Sequence, residues 1–260
     1  MKLLVTAGPT REPIDPVRFI SNRSSGKMGY AVAAIALKRG HSVVLISGPV
    51  ALKPPKGALR INVTTAADML IAVRKNIKKC DALVMAAAVS DFRPATFAAK
   101  KLKKTDISPF FAMKPCGLPQ GGMAFLASQG SAKMPRGLSR GASLSLPLKL
   151  TPDILKAVAS AKGKRIFVGF AAETGRLRPE ALRKLREKNL DLIVANDVSR
   201  PDAGFETDTN RVTLFSAGGE CEELPLMTKE KIAGRIIKWI EAKHRRQQGA
   251  SFLKSSSATQ

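Results

Sequence analysis

The sequence is poor in several residue types on which large classes of protein depend. Aromatic residues make up 5% of its 260 residues, with one Trp and one Tyr. This argues against a sugar-binding platform or a base-stacking binder of single strands. Its two histidines and three scattered cysteines offer neither a metal-ligand spacing nor a disulfide framework. No apolar run approaches the ~20 residues that span a bilayer, and the N-terminus lacks a signal-peptide pattern. We therefore expect a cytoplasmic protein without a membrane segment.

Acidic residues are also scarce relative to basic ones. The chain has 20 Asp and Glu against 44 Lys and Arg, a net charge of +24. This imbalance predicts an anionic partner, such as nucleic acid, a membrane surface or phosphorylated small molecules. Because histidine is scarce, the chemistry must rest on Lys, Arg, Asn, Asp and backbone amides.

Apolar strands alternate with amphipathic helices over most of the chain. Strands of this kind, without polar alternation, are typical of a parallel sheet that is covered on both faces. The sequence therefore predicts an α/β, doubly wound, Rossmann-like domain over residues 1–245, with ligands beyond the carboxyl ends of the strands. The predicted strands cover 2–6, 42–47, 59–64, 82–88, 144–150, 165–171 and 190–195, and the predicted helices cover 27–39, 66–79, 178–189 and 228–245.

Three segments depart from this alternation. Residues 107–143 are rich in Gly, Pro, Ser, Met and Phe without a clear period, and a stretch of this length predicts a flap or insertion, disordered or packed over the site. Residues 211–216 and 222–226 predict a closing hairpin. Residues 246–260 predict a disordered tail.

The long connection between the first strand and the first helix carries the strongest signal. Residues 7–29 read AGPTREPIDPVRFISNRSSGKMG and contain neither GxGxxG nor a P-loop. Ser24, Ser25 and Gly26 immediately precede the helix, where hydroxyls, backbone N–H groups and the helix dipole suit an anion. Asn22 both donates and accepts, which suits an amide or carboxylate. A capped helix after an irregular loop is the structural alternative.

This segment also resembles the signature of the phosphopantothenoylcysteine synthetase family in its bacterial form. Further matches follow in order along nearly the whole chain outside 107–143 and the tail. They are AAAVSDFRP at 86–94, KLKK at 101–104, TPDIL at 151–155, VGFAAET at 168–174, KNLDLIVANDV at 188–198 and FETDTN at 205–210.

The resemblance implies a ligase of coenzyme A biosynthesis. In the family, CTP activates the carboxylate of 4′-phosphopantothenate to an acyl-cytidylate with loss of pyrophosphate, and L-cysteine then displaces CMP. Each step gathers anionic groups and so requires clustered cations and oriented donors. The resemblance also implies Mg²⁺ as cofactor, held largely by phosphates; no protein ligand of the metal is identified.

The resemblance assigns the substrate side of the site to residues near the first strand. Asn22 would hold the activated acyl group and stabilise charge on its oxygen, as catalytic residue, beside Ser24, Ser25 and Gly26. Lys101 would cover the intermediate in the second half-reaction; without the resemblance, its KKLKK run would be a solvated basic face. The small residues of the lining turn are Ala87 and Ala88.

The nucleotide side is assigned to the second half of the sheet. The resemblance implies contacts from Asp91 and Lys101, and from a helix start at Thr151, Pro152, Asp153 and Ile154, in which Thr151 is the expected N-cap. It places Phe170 against the cytosine, and Lys184 and Lys188, four residues apart, against the triphosphate. Each of these residues also has a purely structural interpretation. Asp91 would then be a helix cap, Phe170 a core aromatic, and Lys184 and Lys188 surface lysines.

Partners follow from the same resemblance. The family works as a homodimer, for which the hairpin at 211–226 is the candidate pairing element, and a separate flavin-dependent decarboxylase is an expected associate. The rival function is a basic nucleic-acid-binding module on a Rossmann-like scaffold, supported by the charge. Few aromatics and the lack of a reader motif oppose that rival.

Overall fold

The computed structural model describes residues 1–103, 146–173, 175–197 and 207–256. The chain forms two compact units: the first comprises Met1–Glu12, Ser21–Asp91 and Thr151–Gln260, and the second Pro13–Ile20 and Phe92–Leu150. The sequence predicted one domain over 1–245 and did not anticipate the second unit. The predicted insertion at 107–143 lies outside the described residues.

Fourteen strands and five helices are present in the described part of the chain. The strands are β1 Lys2–Ala7, β2 Arg11–Pro13, β3 Phe19–Ser21, β4 Ser42–Ser47, β5 Leu59–Asn62, β6 Ala82–Met85, β7 Phe92–Pro94, β8 Leu148–Leu150, β9 Ile166–Glu173, β10 Leu192–Asp197, β11 Thr209–Asn210, β12 Val212–Ser216, β13 Cys221–Glu223 and β14 Met227–Thr228. The helices are α1 Lys27–Lys38, α2 Ala66–Ile77, α3 Ile154–Ala157, α4 Leu177–Glu187 and α5 Lys229–Ser256.

An eight-stranded sheet forms the centre of the first unit. Its strand order is β13-β12-β10-β9-β6-β1-β4-β5, parallel from β10 to β5, with β12 and β13 antiparallel at the far edge. From β1 the chain builds outward through β4 and β5, then returns to build β6, β9 and β10 on the other side. The order therefore reverses between β1 and β6, where a doubly wound sheet opens a crevice for ligands. The predicted fold class is confirmed.

Helices cover both faces of this sheet. One buried cluster joins β1 to α1 and α5, and the other joins the opposite face to α2, α3 and α4. The inner strands, such as β1, β4 and β6, are buried on both sides, which explains why they read as continuous apolar runs. Helix α5 continues to Ser256, past the boundary predicted at residue 245, because the Arg, Gln, Ala and Leu that follow favour helix and Gly249 alone does not end it. No helix of the described residues is both long and apolar enough to cross a bilayer.

The second unit contains the antiparallel pair β7 and β8, in which Phe92 faces Leu150. Only Leu148–Leu150 of the strand predicted at 144–150 is present as strand within the described residues. Among the described residues of this unit, six large apolar side chains are exposed: Val17, Phe19, Phe92, Phe97, Leu148 and Leu150. The second unit therefore presents an apolar surface.

Candidate active site

The segments that follow β1 and β6 continue side by side at the point where the strand order reverses. The Ala88 N–H donates to the Gly8 carbonyl at 2.9 Å, and the Thr10 N–H donates to the Ala88 carbonyl at 3.3 Å. The Thr10 hydroxyl accepts from the Ser90 N–H at 3.0 Å, and Thr10 is fully buried. These bonds fix the backbone that carries Ala87 and Ala88 beside the start of the 7–29 connection.

Asn22 reaches this backbone from the end of β3. Its Nδ2 donates to the carbonyls of Val89 at 3.0 Å and Ala88 at 3.3 Å, while the residue stays exposed. The Ser21 hydroxyl donates to the Thr10 carbonyl at 2.8 Å and holds the preceding residue in place. Because both amide hydrogens meet backbone carbonyls, Oδ1 is the atom that Asn22 presents to a ligand. The donor role expected from the sequence requires the amide to leave these carbonyls.

Three glycines let the chain pass closely around the start of α1. Gly8 and Gly26 have φ of 77° and 78°, and a Cβ on either would lie within 2.9 Å of Val50 Cγ1. A Cβ on Gly29 would lie 2.6 Å from Ala7 Cβ, so α1 packs directly on β1. In the dinucleotide-binding fingerprint, glycines likewise allow a tight turn and close packing of the helix on the strand. Here residues 9–25 separate the first glycine, Gly8, from the second, Gly26. The sequence contained the signal, since Gly26 and Gly29 keep the final GxxG spacing.

The start of α1 opens into a cleft of about 800 Å³ on the β4 and β5 side. Gly26 is the N-cap of α1, and as a glycine it has no side chain with which to cap the helix. Ser24, Ser25 and Lys27 line the cleft together with Arg60 of β5. Lys27 also forms an ion pair with Asp208 at 2.6 Å, whose hydrogen bond holds the pKa of Asp208 below its usual value. The sequence predicted the two serines but missed the strand residues.

The helix start at residues 151–154 differs from the prediction. Helix α3 is four residues long and its N-cap is Asp153, whose carboxylate accepts from the Lys156 N–H at 3.2 Å, so the prediction of Thr151 as N-cap is wrong. Thr151 instead donates its hydroxyl to the Ser90 carbonyl at 2.5 Å and its N–H to the Asp91 carbonyl at 2.9 Å. These bonds hold Thr151 against the backbone of Ser90 and Asp91, while Ile154 is buried in the core.

The two lysines predicted for the triphosphate are already paired with carboxylates. Lys184 Nζ lies 2.5 Å from Glu173, and Lys188 Nζ lies 3.1 Å from Asp153. Lys188 is the C-cap of α4 and does not continue its face. Phe170 in β9 is partly buried and packs against the core, which is the position described above as that of a core aromatic. Their nucleotide contacts stay predictions.

Lys101 belongs to the second unit and is exposed. The next residue is anchored: the Leu102 N–H donates to Asp15 Oδ2 at 3.1 Å, and Arg18 donates to the Leu102 carbonyl at 2.7 Å. Burial works to raise the pKa of Asp15, but hydrogen bonds from the Val17, Leu102 and Arg18 N–H groups hold it below its usual value. Asp15 therefore fixes the backbone beside the lysine.

The first unit thus places Asn22 against the backbone of Ala88 and Val89, in the connection that leads into α1. A family model described as DNA/pantothenate metabolism flavoprotein C-terminal domain matches residues 1–115 and 127–243. The chain belongs to this family.

Among curated proteins, the chain is similar to the Coenzyme A biosynthesis bifunctional protein CoaBC of two bacteria. It is 44% identical to the Bacillus subtilis protein over 241 residues, covering 92% of this chain and 51% of that protein. It is 40% identical to the Escherichia coli protein over 245 residues, covering 94% and 52%. The chain therefore spans about half the length of these relatives.

Solved structures agree with the family assignment. The crystal structure of the C-terminal domain of CoaBC superposes with a TM-score of 0.70 at 37% identity, covering 94% of this chain and 96% of that one. A DNA/pantothenate metabolism flavoprotein from Streptococcus pneumoniae gives the same TM-score at 26% identity, covering 93% and 99%. The Rossmann-like fold is therefore shared with known members of the family.

Proposed function

We propose that this chain is a phosphopantothenate–cysteine ligase that uses CTP. The observation that carries the proposal is Asn22 at the reversal point of the sheet, with its amide against the Ala88 and Val89 carbonyls, in a chain of this family. The relatives' names connect them with coenzyme A biosynthesis, and we transfer that role here as part of the proposal.

In the first half-reaction, a carboxylate oxygen of 4′-phosphopantothenate attacks the α-phosphorus of CTP. The bond between the α-phosphorus and the bridging oxygen breaks, and pyrophosphate leaves. Asn22, Ala87 and Ala88 would hold the acyl group, and Ser24, Ser25 and Gly26 would offer hydroxyl and N–H donors to phosphate oxygens. The residues of this chain orient the reactants and neutralise charge, which is what phosphoryl chemistry asks of a protein.

In the second half-reaction, the amine of L-cysteine attacks the acyl carbon. An amide forms, CMP leaves with the bonding electrons, and the amine loses a proton. Asn22 Oδ1 would accept a hydrogen bond from the incoming amine, because Nδ2 is engaged with backbone carbonyls. Lys101 would neutralise phosphoryl oxygens of the intermediate.

The nucleotide and metal contacts complete the proposal. We assign cytidine contacts to Asp91, which follows β6, to the 151–154 segment, which leads into α3, and to Phe170 within β9. The described residues hold no group of three or more His, Cys, Asp or Glu that could bind a metal. This chemistry fits Mg²⁺ that arrives with the phosphates and keeps most of its water.

Assembly and location also stay proposals. We propose a homodimer. The exposed apolar side chains of the second unit, such as Phe92 and Leu150, make that unit a candidate contact surface beside the predicted hairpin at 211–226. Association with a separate flavin-dependent decarboxylase and a cytoplasmic location are predictions from the sequence.

The test of the function is product formation with each substrate left out in turn. We expect repeated turnover only when phosphopantothenate, cysteine and CTP are all supplied. Turnover then gives CMP and pyrophosphate in equal amounts, together with phosphopantothenoylcysteine. Millimolar CTP with Mg²⁺ should raise the melting temperature through linkage. Tight nucleic-acid binding with a steep salt dependence, and no effect of CTP, would favour the rival function instead.

A further inference from the structure

The cleft at the start of α1 is basic and contains no carboxylate among its described lining residues. We call it the Arg60 cleft and define it by Arg11, Ser24, Ser25, Lys27, Arg60 and Asn62. Its three cations come from β2, α1 and β5, so the fold brings them together from distant parts of the sequence. Lys27 is paired with Asp208, which does not line the cleft, so Arg11 and Arg60 are the cations that set its charge. In a chain of net charge +24, such a concave surface concentrates positive potential where an anion fits.

Arg60 has an unusual environment within this cleft. Its Nε is buried and has no hydrogen-bond partner among the described residues. A buried guanidinium N–H without a partner costs free energy, and such groups in native proteins call for an explanation. The backbone of Arg60 is held in place, because β5 pairs with β4 and places Arg60 opposite Leu45. Arg60 lines the cleft, and a rotation of its side chain toward the cleft would let a bound phosphate oxygen satisfy this donor.

The lysines on the other side of the sheet offer a contrast. Lys184 and Lys188 are held by Glu173 and Asp153, so an incoming triphosphate would have to displace a carboxylate from each. Arg60 Nε has no such competitor among the described residues. The start of α1 lies at the edge of the same cleft, where the helix dipole favours an anion. The polyphosphate charge is therefore better matched by the Arg60 cleft than by α4.

We propose that the Arg60 cleft binds the β- and γ-phosphates of the nucleotide, and that Arg60 stabilises the pyrophosphate that leaves in the first half-reaction. This rests on the proposed function. When the bond from the α-phosphorus breaks, its electrons move to the bridging oxygen, and the leaving pyrophosphate gains negative charge. Arg60 meets that charge with a planar array of N–H donors, which a lysine cannot reproduce.

The test compares Arg60→Met and Arg60→Lys with Lys56→Met. Lys56 is exposed, precedes β5 and does not line the cleft, so its variant removes the same charge nearby. We expect Arg60→Met to raise the inhibition constant of inorganic pyrophosphate and the KM for CTP about tenfold or more, with the KM for cysteine unchanged. Arg60→Lys should recover part of the loss, and Lys56→Met should behave as the parent chain.

Titration of the protein with inorganic pyrophosphate and Mg²⁺ separates this inference from the ligase assignment. Arg60-dependent pyrophosphate binding in a chain without ligase activity would support the cleft and refute the function. Normal ligase activity with unchanged pyrophosphate binding in Arg60→Met would refute the cleft and leave the function standing. A rise in the KM for phosphopantothenate alone would also overturn the inference, because the cleft would then hold the other substrate. Melting curves establish that each variant is folded, and if Arg60→Met does not fold, the pyrophosphate affinity of Arg60→Lys decides between these outcomes.

Discussion

Gly26→Ala should damage both stability and nucleotide use, because Gly26 starts α1 in a left-handed conformation. Its φ of 78° costs a residue with a Cβ about 1–2 kcal/mol. The new Cβ would also lie 2.9 Å from Val50 Cγ1 and 3.3 Å from Gly8 backbone, against an ordinary contact of about 3.5–4.0 Å. Relief by movement of Val50 adds about 1 kcal/mol or more, so we expect a total loss of about 2–3 kcal/mol.

Gly40→Ala is the matched control for backbone strain. Gly40 has φ of 80° at the other end of α1, and no atom lies within 4 Å of the position that its new methyl group would take. This variant should lose only the conformational cost of about 1–2 kcal/mol and keep the parent KM for CTP. Gly26→Ala with Val50→Ala should regain part of the loss, because the methyl group in contact is removed.

Urea unfolding and CTP kinetics on these variants decide the matter. Gly26→Ala should be less stable than Gly40→Ala and should raise the KM for CTP, since the displaced α1 start and Val50 both border the Arg60 cleft. Equal stability of the two single variants, with an unchanged KM in Gly26→Ala, would refute the close-approach role of Gly26.

Three further outcomes follow from the structure. The pKa of Glu241 is lowered to about 2, chiefly by its hydrogen bond from Arg39 and also by that from His41. The ionised Glu241 carboxylate therefore stabilises the fold fully above pH ~4.5, and this stabilisation is lost as the pH falls toward 2. Glu241→Gln should flatten the pH dependence of the free energy of unfolding in urea within that window. The change is at most about 3 kcal/mol, and solvent screening makes it smaller because the Arg39 side chain is 38% exposed. An unchanged profile would contradict the ion pair. Asn22→Asp should cripple turnover, because a carboxylate would face the Ala88 and Val89 carbonyls and an anionic substrate; a parent-like turnover number would remove Asn22 from the site. Lys101→Gln should still release pyrophosphate but capture cysteine slowly, and product formation at the parent rate would refute its role.

The parallel sheet was predictable because it leaves a strong trace in sequence. Strands buried on both faces must be apolar throughout, and on that basis 42–47 was predicted with its observed bounds, while the strand predicted at 82–88 ends at Met85. The short strands β2, β3 and β7 escaped prediction because each has three residues, too few for a period to appear. The second unit was missed because it is assembled from two segments far apart in sequence.

The candidate site was predictable where one continuous segment carries it. Asn22, Ser24 and Ser25 lie within one connection, but Arg60 comes from a strand whose sequence gives no sign that its end borders α1. The glycine geometry was missed because residues 9–25 separate Gly8 from Gly26. The ion pairs of Lys184 were invisible for a similar reason, since Glu173 meets it only after folding.

Mass spectrometry of the protein incubated with CTP, Mg²⁺ and phosphopantothenate, before and after addition of cysteine, tests the central claim most directly. The account predicts that phosphopantothenoyl-cytidylate and pyrophosphate accumulate in equal amounts without cysteine. It predicts that the cytidylate then disappears as CMP and phosphopantothenoylcysteine form. Release of CDP and phosphate, or product formation without any cytidylate, would contradict an acyl-nucleotide intermediate in this chain.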